Sequence, residues 1–220
     1  MIIIEPSFEI MDPKPDHMRD YIYKKIERIG RTCYKSENLI GDDTAAGFVK
    51  RLVDNHHEAM LEHASMTVKF IVDRGISHEL VRHRLASFAQ ESTRYCNYSK
   101  AKFGGELTFV MPYFFDQRSA EFRGWYDICE TAEAYYLDMI RSGIPPEQAR
   151  CILPNSLKTE IIMTANMREW RHILGLRAAG VAGIPHPQMR QIMQPLLEEM
   201  NKRMPELFGD IYKEMEKRNG

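Results

Sequence analysis

The sequence predicts an α+β fold, in which a single domain over residues 1–220 contains a mostly antiparallel or mixed sheet flanked by helices. The chain has 220 residues, of which 44% are hydrophobic, and this is enough for one sizeable core. Segments in which apolar and polar residues alternate predict strands, and segments with apolar residues three and four apart predict helices. The predicted strands lie singly among the helices and do not follow a regular strand–helix series, which favours an α+β fold. No repeat, low-complexity tract or long linker divides the chain.

In the first part of the chain, the sequence pattern predicts two strands and two helices. Residues 2–10 form the opening strand, which ends before Pro13 because proline cannot continue the ladder. The next segment has the apolar spacing of an amphipathic helix that ends near Gly30. Thr44 is expected to cap a second helix. Strict alternation over residues 65–73 predicts a strand with one buried face.

In the rest of the chain, the sequence pattern predicts further helices and strands. Ser77 is expected to cap a short helix that runs to Leu85, and Asn166 to cap a helix with Trp170 on its buried side. Pro195 should kink or split the last helix. The other predicted elements are a strand at 106–111, a helix at 119–142, a short helix that begins at 145–147 and contains Arg150, a strand at 157–164 and a last helix at 187–204.

The composition excludes several classes of protein. Thirty Lys and Arg against 31 Asp and Glu give a net charge of -1, which removes the general attraction that sequence-independent nucleic-acid binding needs. No run approaches the ~20 apolar residues of a membrane span, and the N-terminus has no signal-peptide pattern, so we expect a cytoplasmic protein without membrane contact. The four cysteines form no CxxC pair, which favours buried reduced thiols over disulfides or a zinc site.

The densest polar segment is residues 82–95, which contains three arginines, a histidine, three Ser/Thr hydroxyls and an amide. Guanidinium groups are planar and bidentate, so several together predict a phosphorylated ligand. If this segment begins on a helix, Arg82 and Arg84 lie about 200° apart and would contact two ligands or one extended ligand. The alternative is a solvated basic turn at the surface.

Several segments together resemble one enzyme family. Arg-His-Arg at 82–84, followed by seven residues and Ser92, and then Thr-Arg-Tyr at 93–95, resembles the signature of flavin-dependent thymidylate synthases. The likeness covers about residues 32–191. The other segments that resemble blocks of this family, in the family's order, are 32–36, 57–65 with its His-x(5)-His spacing, 149–154, 164–168 and 176–178.

The resemblance implies an activity and a set of ligands. Similar enzymes make dTMP from dUMP, taking carbon from methylenetetrahydrofolate and reducing equivalents from NADPH through FAD, as homotetramers with FAD at subunit junctions. The residues it implies for the cofactor are His63, Ser65, Arg82, His83, Arg84, Gln90, Asn166, Arg168 and His172. The residues it implies for dUMP are Glu79, Arg82, Gln90, Glu91, Ser92, Thr93, Arg94, Arg150 and Arg177.

The resemblance also implies roles in catalysis. Arg177 matches the arginine that polarises the uracil and favours loss of its N3 proton, since a fixed cation stabilises a developing anion. Arg94 and Arg150 suit the dUMP phosphate. Ser92 is the second candidate catalytic residue, but the sequence places no base beside it, which favours a hydrogen-bonding role. None of the cysteines lies in a nucleophile motif, so hydride chemistry without a cysteine adduct is expected.

The sequence departs from the family's pattern at a few positions. Relatives often have Asn-Glu or Ser-Gln where Ala89 and Gln90 stand, an asparagine that contacts flavin where His172 stands, and in some cases histidine at Val181. There is no Gly-x-Gly-x-x-Gly fingerprint, so side chains would have to hold FAD instead of a dinucleotide-binding turn.

Other readings of the sequence give different classes of site. A zinc hydrolase would need histidine at position 61, which is Leu61, and no metal site is expected. Six aromatic residues near basic ones could stack on nucleic acid, but the net charge favours a core, subunit contacts or stacking on flavin or folate. Two further possibilities are a colourless, non-catalytic protein that binds dUMP and a yellow flavoenzyme that acts on another pyrimidine. The aromatic residues are Tyr95, Tyr98, Phe103, Tyr113, Phe114 and Phe115.

Overall fold

The computed structural model describes residues 1–100 and 104–219, so Phe103 lies outside the described residues. The chain separates into two compact units and passes from one to the other several times. The first unit comprises Met1–Ser7, Phe70–Arg82 and Ala89–Ile162, and the second comprises Phe8–Lys69, His83–Phe88 and Met163–Gly220. The single-domain organisation stays a prediction.

The strands form two sheets. β1 and β5 form a parallel pair in which Ile3 lies opposite Phe109, and the other four strands form an antiparallel sheet in the order β2-β3-β6-β4. The predicted α+β class is therefore confirmed. The strand bounds are β1 (Ile2–Ile4), β2 (Ser7–Asp12), β3 (Ser65–Asp73), β4 (Ala86–Gln90), β5 (Thr108–Val110) and β6 (Lys158–Asn166).

Eight α-helices lie between or after the strands in the described part of the chain. Two short 3-10 segments, Glu58–His63 and Arg150–Ile152, also contain residues of the candidate site. The helices are α1 (Met18–Thr32), α2 (Thr44–Asp54), α3 (Arg74–Leu80), α4 (Ala120–Arg141), α5 (Pro146–Ala149), α6 (Met167–Arg177), α7 (Pro187–Arg203) and α8 (Pro205–Asn219).

The two long strands have the burial that their alternation predicts. In β3 the buried side chains come from every second residue, and β6 has the same period with Thr159, Ile161, Met163 and Ala165 buried. One face of each strand therefore lies in a core, while the residues between are only partly exposed.

The predicted opening strand is wrong in one respect, because it is two strands. Pro6 has no N–H to give to a ladder, and the chain leaves the extended hydrogen-bonding pattern there. β1 pairs with β5, whereas β2 belongs to the four-stranded sheet.

Three helix starts test the predicted caps. Asn166 caps α6 as predicted, with its Oδ1 accepting from Glu169 N at 2.9 Å. Thr44 is instead the first residue of α2, and no side chain caps that helix. Ser77 is also not a cap, because α3 begins three residues earlier and Asp73 Oδ1 accepts from Ile76 N at 2.8 Å. A carboxylate is the better acceptor for a free helix N–H, and Asp73 stands at the strand end where the helix must start.

The C-terminal part contains a helix that the apolar spacing did not predict. α7 continues through Pro195, so this proline does not split it. The prediction ended at residue 204, but Pro205 opens α8, because proline fits the first helical turn where no N–H bond is needed. Leu207, Phe208 and Met215 are its buried residues.

Each unit has its own buried cluster. In the second unit, α1 and α2 approach closely at Gly30, where an added Cβ would lie 2.7 Å from the Phe48 ring. In the first unit, α4 packs its Cys129 and Tyr136 against Tyr98, Leu107, Phe109, Ala149 and Leu157.

Candidate active site

The arginine-rich segment begins as a turn and not as a helix. α3 ends at Leu80, and the backbone N–H of Arg82 donates to the Glu79 carbonyl at 3.2 Å. Arg82 and Arg84 are exposed, whereas His83 between them is only 6% exposed. The predicted helical separation of the two arginines therefore does not apply, and the turn exposes both while it buries the histidine.

His83 contacts the end of α6 within the second unit. The Nε–H of Arg177 donates to His83 Nε2 at 3.1 Å. On the other side of the ring, Nδ1 lies 3.8 Å from Oε1 of Glu169, and the ring of His172 packs edge-on at 6.3 Å between centroids. Because Nε2 accepts a hydrogen bond, the neutral ring carries its proton on Nδ1.

The surroundings keep His83 neutral. Burial, followed by electrostatic repulsion from Arg177 and His172, lowers its pKa to about 4. Burial also raises the pKa of Glu169, which is 7% exposed. An uncharged imidazole is a hydrogen-bond acceptor for Arg177 and cancels none of its charge.

This low pKa predicts an acid-sensitive contribution to stability. Unfolded histidine, with a pKa near 6.5, takes up a proton on acidification that folded His83 resists, so stability falls as the pH falls from 6.5 toward 4. Between pH 7 and pH 5 the wild type should lose about 2 kcal/mol more unfolding free energy than His83→Gln, measured by urea unfolding. Equal losses in the two proteins would show that His83 is not held neutral.

A large cavity lies beside this group in the second unit, with a volume of about 700 Å³. Three residues assigned to the cofactor by resemblance, Asn166, Arg168 and His172, line it from the cap and first two turns of α6. The remaining lining residues are Glu58, Glu62, Leu85, Glu169, Arg171, Gly175, Val181 and Ile211.

The two cavity arginines already have carboxylate partners. Arg168 is exposed, and its Nη1 donates to Glu62 at 2.6 Å while its Nε lies 3.8 Å from Glu58. Arg171 is buried, donates to Glu58 at 3.1 Å, and forms a bidentate pair with Asp210 of α8. Arg171 of α6 thus connects this helix to the Glu58–His63 segment and to α8. Arg168 forms an exposed ion pair with Glu62, and a ligand anion could take the place of this carboxylate.

Most residues assigned to dUMP by resemblance lie in the first unit. Arg150 Nη1 donates to the buried Thr93 hydroxyl at 3.1 Å, and Arg94 Nη2 lies 3.7 Å from the Glu147 carboxylate. Glu147 and Arg150 lie next to each other at α5 and the turn that follows it. The folded chain therefore brings the exposed Arg94 and Arg150 to the same short helix, which sequence distance alone does not show.

The residues before Thr93 are held by hydrogen bonds within the protein. Gln90 Nε2 donates to Ser77 Oγ at 2.8 Å and to Thr159 Oγ1 at 3.2 Å. The Ser92 hydroxyl accepts from the backbone N–H of Arg94 at 3.2 Å, which stabilises the turn.

Glu91 is the most heavily engaged of these side chains. Its carboxylate accepts from Tyr98 Oη at 3.1 Å, Lys158 Nζ at 3.0 Å and Glu160 N at 3.2 Å. These contacts fasten the segment to β6, and a direct contact between Glu91 and dUMP stays a prediction.

The other predicted site residues are placed as follows. His63 and Ser65 are exposed at the end of the 3-10 segment and the start of β3, and Glu79 is half-buried in α3. Glu58, Glu169 and Arg171 were missed as site residues. Glu58 and Arg171 lie in segments that contain several other charged residues and histidines, so the sequence did not single them out, and Glu169 looked like an ordinary first-turn acid.

No helix in the described residues 1–100 and 104–219 is long and apolar enough to cross a membrane. Within the same ranges, no group of three or more His, Cys, Asp or Glu side chains is arranged to hold a metal ion.

The chain is similar to known proteins over most of its length. A solved structure of the UMP/dUMP methylase PolB from Streptomyces cacaoi, bound with 5-Br dUMP, superposes with a TM-score of 0.76 at 21% identity over 97% of each chain, which shows the shared fold. A flavin-dependent thymidylate synthase of Pyrococcus furiosus is 34% identical over 79% of this chain and 70% of the relative. One from Corynebacterium efficiens is 31% identical over 84% of this chain and 78% of the relative. The family described as thymidylate synthase complementing protein matches residues 17–206, and the chain therefore belongs to this family of flavin-dependent thymidylate synthases.

Proposed function

We propose that this enzyme converts dUMP to dTMP, with methylenetetrahydrofolate as carbon donor, NADPH as reductant through FAD, and no covalent bond between the substrate and a cysteine. The observation that carries the proposal is the contact between Arg177 and neutral His83 beside the cavity of the second unit. Relatives named flavin-dependent thymidylate synthases and a neighbour bound with 5-Br dUMP support the substrate class.

The cavity residues fit a flavin dinucleotide. A volume of about 700 Å³ lies in the range of sites for cofactor-sized molecules. Arg168 supplies an exposed guanidinium for a pyrophosphate, and Asn166 and His172 supply polar groups for a ring edge. FAD, when bound, supplies the hydride transfer that amino-acid side chains cannot perform. Arg168 would give up its exposed contact with Glu62 to hold the pyrophosphate.

Arg94 and Arg150 bind the dUMP phosphate. Both side chains are exposed, both are anchored near α5, and a planar guanidinium pairs with phosphate through two hydrogen bonds. Thr93 orients Arg150 through the 3.1 Å hydrogen bond from Nη1. Gln90 and Ser92 lie in the same segment and contribute hydrogen bonds to the nucleotide.

Arg177 polarises the uracil. Its Nε–H donates to His83, and this hydrogen bond holds the planar guanidinium group in one orientation. A preoriented cation stabilises the negative charge that develops as the uracil loses its N3 proton, most strongly where water is excluded.

Cys129 does not have the surroundings of a nucleophile. Cys129 is fully buried, burial raises the pKa of its thiol, and its Sγ lies 3.4 Å from Ser156 Oγ. A raised pKa leaves less of the reactive thiolate at neutral pH. The predicted burial of the thiols is wrong for Cys33 and Cys151, which are exposed, and for Cys96, which is half-buried.

The proposal includes a homotetramer with FAD at subunit junctions. α4 has 22 residues, but only Cys129 and Tyr136 of these are buried. Ile128 and Tyr135 are 64% and 63% exposed beside a shallow groove on this helix. An apolar helix face of this kind is typical of a surface that another chain covers.

Anaerobic incubation of the purified protein with FAD, NADPH, methylenetetrahydrofolate and dUMP tests the proposal by the formation of dTMP. Single replacements of the four cysteines by serine should leave turnover substantially intact. A colourless protein that binds dUMP would show a non-catalytic role, and a yellow protein that makes no dTMP would show another flavoenzyme activity. Complete loss of turnover at one folded cysteine variant would contradict the absence of a cysteine adduct.

A further inference from the structure

Glu169, His83 and Arg177 form a line of three side chains in the second unit, which we call the Glu169–His83–Arg177 line. Arg177 Nε lies 3.1 Å from His83 Nε2, and His83 Nδ1 lies 3.8 Å from Glu169 Oε1. Glu169 and His83 are 7% and 6% exposed, so bulk water screens their interaction little. The resemblance to the family assigns no role to Glu169.

The hydrogen bond from Arg177 determines which nitrogen of the His83 ring carries the proton. Because Nε2 accepts the Arg177 Nε–H, the proton of the neutral ring is on Nδ1, on the side that faces Glu169. A separation of 3.8 Å is longer than a direct hydrogen bond, so the carboxyl group acts on the Nδ1–H dipole through a short electrostatic contact. The opposite tautomer would place an N–H against Arg177 and break the 3.1 Å contact.

The helix alone cannot connect the two ends of the line. Glu169 lies in the first turn of α6 and Arg177 is its last residue, so their Cα atoms are separated by roughly 12 Å along the axis. His83 comes from the turn before β4, and its ring lies between the Glu169 and Arg177 side chains and contacts both. Glu169 also lines the cavity, and the line therefore runs from the cavity wall to the arginine.

We propose that Glu169 is a positioning residue for Arg177, which it orients by holding the His83 ring in the tautomer and orientation that accept the Arg177 Nε–H. This proposal rests on the proposed role of Arg177 at the uracil. Glu169 does not contact the reacting atoms and acts only through His83.

The test uses the FAD-loaded enzyme with Glu169→Leu, which removes the carboxyl oxygens, and Glu169→Gln, which keeps an oxygen at the same position. Glu169→Leu should lower kcat about tenfold, because a misoriented Arg177 stabilises the transition state less well, with the KM for dUMP within about twofold. Glu169→Gln should restore kcat to within about threefold of the wild type, since the amide oxygen still presents a partial negative charge to the Nδ1–H dipole. If Glu169→Leu does not fold, Glu169→Asp, which withdraws the carboxyl group by one methylene, should lower kcat in the same direction.

A binding measurement gives a second readout that does not depend on turnover. The fluorine of 5-fluoro-dUMP lowers the pKa of the uracil N3–H, so a fixed Arg177 should favour this analogue over dUMP in calorimetry at pH 8. Glu169→Leu should reduce that preference, and Glu169→Gln should retain it. Glu27→Gln is the matched control, because Glu27 is also buried and paired, with Arg31 at 2.6 Å, but lies away from the line.

A double-mutant cycle decides whether Glu169 acts through Arg177. If it does, Glu169→Leu should have no further effect on the 5-fluoro-dUMP preference once Arg177 is alanine. Additive effects, or a lowered kcat that Glu169→Gln does not restore, would overturn the positioning role. A wild type that makes no dTMP would contradict the proposed function, whereas a wild type that makes dTMP with an additive cycle would contradict this inference alone.

Discussion

Replacement of Arg177 by alanine should lower kcat for dTMP formation by about 100- to 1,000-fold, the size expected when one preoriented donor at a developing negative charge is lost. The flavin should stay bound, because Arg177 is not among the described residues that line the cavity. Single-turnover measurements of dTMP, with flavin absorbance recorded on the same samples, separate the loss of chemistry from loss of the cofactor.

Arg141→Ala is the matched control for this experiment. Arg141 is the exposed last residue of α4, and among residues 1–100 and 104–219 its ion pair is with Asp138, one turn away. This variant should make dTMP at the wild-type rate. If Arg177→Ala also formed dTMP at an unchanged rate, the assignment of this arginine to the uracil would be wrong.

Replacement of Trp170 by alanine should lower the free energy of unfolding by about 3–5 kcal/mol, as measured by urea or thermal unfolding. Trp170 is fully buried in α6, and its Nε1–H donates to the Met66 carbonyl of β3 at 3.0 Å. The change removes the largest fully buried side chain among the described residues and leaves a cavity. Because α6 also carries Asn166, Arg168 and Arg177, the variant should bind flavin more weakly at temperatures where the wild type is still loaded.

The second tryptophan provides the matched control. Trp125 Nε1 is buried but has no hydrogen-bond partner among the described residues, whereas Trp170 Nε1 donates to a carbonyl. Trp170→Phe should therefore cost about 1–3 kcal/mol more than Trp125→Phe, since it leaves a buried carbonyl without its donor. Equal costs for the two phenylalanine variants would contradict a stabilising role for the Met66 hydrogen bond.

The candidate site could be predicted from sequence where residues act through local patterns. The Arg-His-Arg segment, the Asn166 cap and the arginines at 94, 150 and 177 were named from motifs, and the contact between His83 and Arg177 joins two of these motifs. Glu169 was not named, because a glutamate in a first helical turn has a sufficient local explanation in the helix dipole. Its burial against His83 depends on packing between segments more than 80 residues apart.

The fold shows the same division. Alternation in β3 and β6 and the 22-residue helix α4 followed from period alone, since one buried face requires a fixed spacing. Period alone did not predict the break at Pro6, the cap by Asp73 or the additional helix α8. At each of these places two local conformations are acceptable, and the neighbouring segments decide which one is stabilised.

The sequence by itself determined the family, the α+β class and the set of arginines, because motif, period and charge are properties of order along the chain. Only the tertiary structure decided that His83 is buried and neutral, that Arg177 donates to it, and that Glu169 lies behind it. The physical reason is that a pKa and a hydrogen bond depend on distance and desolvation, and these arise only when remote segments pack together.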